Sequence, residues 1–225
     1  MDLKLLFDKS QQFEKEEARA DVYPMVRNWI ESHSESDVER TRGLATLLFV
    51  WNAGYYSRAG RGFPAAVKSV EALFKNRSFQ GLFSAAKGFE IVSTDLLPSR
   101  KIIVDLYDCT DSHEGIGPTA TSKILHLLQP DFFVMWDKKI YTHFHIDHRK
   151  RGLWHRRGGG ECYFEFLREM QTEARQLTNQ MTKEQIEARL TEMANYHKTL
   201  AKGLDEANYM LHTVPSRESS KRQKG

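Results

Sequence analysis

The stretch from Glu114 to Ile140, E-GIGP-TATSKILHLLQPDFFVMWD-KKI, constrains the fold more than any other part of the chain. It opens on a tight turn, Gly115-Ile116-Gly117-Pro118. Glycine enters φ > 0 freely and lets the backbone come close to a ligand. Pro118 suits the first turn of a helix, where a missing N–H is no loss. A helix is predicted from Thr119 to Leu128, broken by Gln129-Pro130. The unpaired amides at its start, with the positive end of the helix dipole, favour a phosphate. The apolar passage Phe132-Phe133-Val134-Met135-Trp136 then ends at Asp137, ahead of Lys138 and Lys139. A carboxylate there stands at the edge of a partly desolvated site, next to cationic charge.

Taken together, the hairpin, the helix, the proline and the spaced Asp resemble the helix-hairpin-helix DNA glycosylase superfamily of base-excision repair. In that family a G-(I/V)-G hairpin grips the backbone of one DNA strand, and a catalytic Asp follows an apolar segment. Here Asp137 lies 20 positions past Gly117. The motif spans about residues 99–140, with 99–109 as its first helix. The resemblance implies an all-α, two-lobed glycosylase-like fold over residues 1–212, with the active cleft between the lobes. It also implies hydrolysis of the N-glycosidic bond of a damaged or mispaired base, flipped out of double-stranded DNA. Lyase-type relatives carry a Schiff-base lysine two residues past the second glycine. Here that position is Thr119, and Lys123 stands about one helical turn further on. The implied enzyme is therefore monofunctional. The rival expectation is a non-catalytic DNA-binding or protein-interaction module that retains the scaffold.

A chain of 225 residues, 40% hydrophobic and 28% charged, is ordinary for one soluble domain with a real core. Cys109 and Cys162 are its only cysteines, too few for a Cys₄ iron–sulfur cluster or a four-Cys zinc site, so no cofactor is expected. No apolar run reaches transmembrane length, and Asp2, Lys4, Asp8 and Lys9 interrupt the N-terminus. An intracellular monomer with no membrane partner is the expectation. The net charge of +3 is unevenly spread. Residues 138–157 hold seven basic side chains against Asp147, net +6, whereas residues 1–39 are net −5. The tail 213–225 is net +3, polar, and expected to be disordered. Positive charge beside the motif is the electrostatic footprint that nucleic acid requires.

Apolar periodicity predicts helices over 2–18, from Pro24, over 35–57 with a buried middle at 44–51, and over 64–75, 79–87 and 99–109. A further helix is predicted from Asp137 to about His148, then a basic, glycine-rich loop over 149–160. Thr182-Lys183-Glu184-Gln185 is a capping box, opening a helix to about Leu211. No segment alternates well enough to demand a strand.

Asp137 is the candidate catalytic carboxylate, and equally a plain N-cap; the roles are compatible. A carboxylate stabilises an oxocarbenium-like sugar and orients the attacking water. Gly115, Ile116, Gly117 and Thr119 are candidates for gripping the DNA backbone. Lys138, Lys139, Arg149, Lys150, Arg151, Arg156 and Arg157 are candidate phosphate contacts. Asn52 and Tyr55, with Tyr56 and Arg58, are candidates for the wedge or pocket, against a plain reading of Trp51-Asn52 as core. Trp154 is a candidate stacking residue, while Trp136 reads as core. The histidines at 143, 145 and 148 lack the accompanying ligands of a metal site and read as a solvated cluster.

Overall fold

The computed structural model describes residues 1–52, 55–56, 62–144, 159–194 and 196–214. Among them are eleven α-helices and no strand, as the sequence predicts. In chain order these are α1 (Leu3–Glu16), α2 (Val22–Ser32), α3 (Asp37–Trp51), α4 (Gly62–Phe74), α5 (Arg77–Ala86), α6 (Leu96–Asp111), α7 (Pro118–Leu128), α8 (Lys138–His143), α9 (Gly159–Thr178), α10 (Lys183–Ala194) and α11 (Leu200–Asn208). A π-helical turn, Tyr209–Thr213, follows α11. No described helix is long and apolar enough to cross a membrane.

Helix starts are written in the local sequence. Asp2, Ser36, Asn76, Asp95, Asp137 and Thr199 each accept a first-turn amide through the side chain. The predicted capping box is present: Gln185 N donates to Thr182 Oγ1 at 3.3 Å and Thr182 N to Gln185 Oε1 at 3.1 Å.

Several boundaries differ from expectation: α8, expected to reach about His148, ends at His143, and Thr213, expected in the disordered tail, is buried in the π-helical turn. The helix expected over 35–57 stops at Trp51. The one expected to run from Thr182 to Leu211 is two helices, α10 and α11. Thr199 restarts the second: its Oγ1 caps Lys202 N and donates to Pro130 O at 2.8 Å. The glycine-rich loop expected to reach 160 ends sooner, because Gly159 and Gly160 begin α9. A Cβ on Gly160 would sit 2.5 Å from Val104 O, so this glycine serves the close approach of α9 to α6.

One apolar cluster runs from Leu6 to Ala207. Its centre is α7, where every residue from Ala120 to Leu127 is buried, rather than α3 as the 44–51 run implies. On one side α3 packs between α2 and α4; on another, α6 lies between α5 and α9; α1 lies against α11. A smaller cluster joins Phe13, Ala20, Tyr209 and Met210.

Candidate active site

The approach to Asp137 is a buried segment without regular structure, Phe132–Trp136, all five residues at most 2% exposed. Its backbone polar groups therefore need side-chain partners. Tyr163 Oη donates to Val134 O at 2.8 Å. Ser122 Oγ donates to Trp136 O and accepts from Trp136 N, each at 3.2 Å. His126 Nδ1 lies 2.5 Å from Phe133 O and Nε2 lies 2.8 Å from Tyr23 Oη. A carbonyl only accepts, so Nδ1 carries the proton and Nε2 takes the tyrosine hydroxyl. Burial pushes His126 down to about 3, which keeps it in that neutral form. Helix α7 thus grips the segment that delivers Asp137.

Asp137 is the N-cap of α8. Its Oδ1 accepts from Lys139 N at 2.7 Å and Ile140 N at 3.0 Å, and its Oδ2 accepts from Thr213 Oγ1 at 2.8 Å. The carboxylate is half-buried and lines a cleft of about 150 Å³. The other walls come from distant parts of the chain: Arg19, Trp51, Asn52, Thr119, Lys123, Trp136, Asp205 and Tyr209 among them. A drug-sized ligand site is typically about 300–1,000 Å³, so this cleft suits one small ring system.

Lys123 is the residue the sequence reading placed away from the site. Its side chain is 6% exposed, yet it lines the same cleft as Asp137. Its Nζ donates to Asn52 Oδ1 at 2.9 Å and lies 5.3 Å from the Trp51 ring centre. Burial pushes the Lys123 ammonium down to about 8, against the opposing pull of Asp137 and Asp205. Arg19 faces Trp51 at 5.3 Å and is held by Glu17 at 2.6 Å and Tyr209 Oη at 3.1 Å.

At the hairpin, the two glycines differ. Gly115 has φ +84, and a Cβ there would meet Ser69 Oγ at 2.3 Å, so the fold itself requires it. Tyr56 Oη donates to Gly115 O at 3.1 Å. Gly117 is extended (φ −113, ψ 177), caps α7 without a side-chain hydrogen bond, and faces nothing within 4 Å of a built Cβ. Among the described residues nothing requires glycine there. Ile116 is in the core at 4% exposure, so its side chain anchors the hairpin and is out of reach of DNA.

Lys138 and Lys139 are exposed beside Asp137. Asn52 is the C-cap of α3 and turns into the cleft, where it holds Lys123; Tyr55 is 44% exposed. Trp136 is buried, as expected of a core residue. Arg58, Arg149, Lys150, Arg151, Trp154, Arg156 and Arg157 lie outside the described residues, as do His145 and His148. His143 stacks on His212, ring centres 3.6 Å apart. No three His, Cys, Asp or Glu side chains gather as metal ligands among the described residues. Sequence reasoning missed Arg19, Asp205 and Tyr209, which reach the cleft only through tertiary packing, and Thr213, which reaches Asp137 in the same way.

Compared with family models, curated proteins and solved structures, the chain finds no match in any of the three.

Proposed function

We propose that this chain is a DNA glycosylase of the helix-hairpin-helix kind, which breaks the N-glycosidic bond of a damaged or mispaired base held in the Asp137 cleft. The observation that carries the reading is Asp137 itself. A carboxylate fixed by two backbone amides and Thr213 lines a ring-sized cleft, a short distance along the chain from a hairpin whose Gly117 is half-buried with open space where a Cβ would stand. A rigid anion at the sugar C1′ stabilises an oxocarbenium-like transition state. Helix α7 would offer its free N-terminal amides to a phosphate, and Lys138 and Lys139 would add salt-dependent affinity. The rival, a scaffold without chemistry, would be favoured by an Asp137 turned into the core, whereas Asp137 is half-buried and among the residues that line the cleft.

Incubation with duplexes that each carry one lesion, followed by alkali, tests the reading. Strand breaks at one or more lesions support it, whereas survival of every lesion favours the non-catalytic module.

Lys123 favours a second form of the same chemistry. Thr119 has no amine, but a lysine that is partly neutral near pH 8 and faces the cleft can attack C1′. The amine would displace the base with its bonding electrons, and ring opening would leave an imine on the deoxyribose. Loss of a C2′ proton would then expel the 3′ phosphate and cut the strand. Borohydride reduction during turnover separates the two forms. An adduct mapped to Lys123 supports the amine, and abasic product with no adduct supports hydrolysis.

A further inference from the structure

Two neighbouring residues at the end of α3 meet the amine of Lys123. Asn52 Oδ1 accepts from Lys123 Nζ at 2.9 Å, and the Trp51 ring centre lies 5.3 Å from the same nitrogen. An ammonium only donates, so the Asn52 atom that faces it is the carbonyl oxygen. Closing α3 does not need that side chain. The Asn52 backbone does so, its N–H donating to Leu48 O at 2.8 Å and its carbonyl accepting from Tyr55 N at 2.8 Å. The charges that act on Lys123 come from other elements: Asp137 at the start of α8, Lys202 and Asp205 on α11, and Arg19 beyond α1. Among the described residues, Asn52 Oδ1 is the one hydrogen-bond partner of Nζ.

Those charges act at a distance, and Asn52 acts by contact. A hydrogen bond from a charged donor is the stronger one, so the amide oxygen favours the ammonium over the amine. The same bond sets a direction. A neutral amine has two N–H bonds and one lone pair. With one N–H on Asn52 Oδ1, the lone pair points away from Asn52. The open space that Asn52 and Lys123 share is the cleft, which Asp137 also lines. We infer that Asn52 is a positioning residue for Lys123: its amide oxygen stabilises the ammonium and, once a proton has left, turns the lone pair of the amine away from α3 toward the cleft. The inference rests on the amine form of the base-excision reading and adds what regulates that amine.

A duplex with a preformed abasic site, with borohydride, is the chemical probe, because its open sugar presents an aldehyde and no base has to leave. The Lys123 lone pair attacks C1′, the carbonyl electron pair passes to oxygen, water departs, and hydride reduces the imine to a stable amine. Adduct mapped to Lys123 is followed as a function of pH, and the Lys123 ε-methylene resonance is titrated by NMR without DNA. In the wild type both midpoints should fall at about 8. Asn52→Leu should lower the midpoint by about one pH unit or more and cut the high-pH plateau of trapping about tenfold or more, since the amine is then free but unaimed. Asn52→Ala gives the same reading should the leucine variant not fold. Asn52→Asp should raise the midpoint by about one pH unit or more and recover the plateau. A side chain that merely fills space would lower trapping equally at every pH with the midpoint in place, and that result overturns the inference. No Lys123 adduct in the wild type also overturns it and leaves hydrolytic base excision standing. The expected midpoints and plateaus without excision of any lesion uphold the inference and remove the glycosylase reading.

Discussion

Two sets of buried lysines lie within one side chain of each other and behave in opposite ways. Lys198 and Lys202, both 0% exposed, sit in a saturated ionic cluster. Lys198 Nζ meets Glu14 at 2.6 Å, Glu206 at 2.7 Å and Ser10 Oγ at 3.1 Å; Lys202 Nζ meets Asp205 at 2.7 Å and Glu206 at 3.4 Å. Burial alone would lower Lys202, but Asp205 and Glu206 hold it above the usual lysine range. Lys123, which like Lys202 lies over the Trp51 ring, has one amide oxygen as its partner among the described residues and falls to about 8. Burial is common to both; direct carboxylate partners are what separate them. The cluster ties α1 to α11 and holds a wall of the cleft in place. Lys123 keeps spare donors and a titratable proton at the cleft.

Breaking the saturated cluster should give the largest loss of stability. Glu206→Ala removes one of the two carboxylates that each of Lys198 and Lys202 meets and leaves the buried cluster short of negative charge, which is expected to cost about 3–5 kcal/mol by urea unfolding. A cost below about 1 kcal/mol would show that the cluster is not the anchor its geometry implies.

Removing Lys123 should do the opposite. Its folded-state pKa lies below the unfolded value near 10.5, so between pH 8 and 10.5 the unfolded chain binds more protons and stability rises with pH. Below pH 8 the fold bears the full cost of the buried charge. Lys123→Met should therefore stabilise the protein by on the order of 2 kcal/mol at pH 7. The gain should shrink as the pH approaches 10. A destabilised Lys123→Met at pH 7 would contradict the comparison.

A smaller effect is expected at Asp111, which ends α6 ahead of the hairpin. Burial first, and then Asp108, pushes its carboxyl up to about 6. A raised acid favours the fold below the unfolded value near 3.8 and loses that contribution as pH climbs through 6. Asp111→Asn should add about 1 kcal/mol at pH 8 and almost nothing at pH 3.5, read from thermal unfolding at the two pH values.

Much of this architecture is legible in the sequence, and the parts that are not share a cause. Helix starts, the capping box, the hairpin turn and Asp137 as a cap rest on local chemistry within a few residues, and the sequence carries them. Gly159-Gly160 reads as loop because glycine has two uses, and the α6–α9 approach that decides between them is 52 residues away, at Asp108. Lys123 reads as one turn out of register with Thr119, yet a buried helix packed on every side leaves its long side chain one way out, toward Asn52 and the cleft. Thr213 carries no signal at all: its partner is Asp137, 76 positions earlier, and a π-helical turn delivers it.

The measurement that bears most directly on the central claim is the single-turnover excision rate of Asp137→Asn on the best lesion, alongside its affinity for the same duplex. Asparagine keeps the size and much of the capping capacity and removes the charge. The cleft chemistry predicts folding and DNA affinity close to wild type, with the rate down by about a hundredfold or more. An unchanged rate would take Asp137 out of the reaction and the catalytic reading with it.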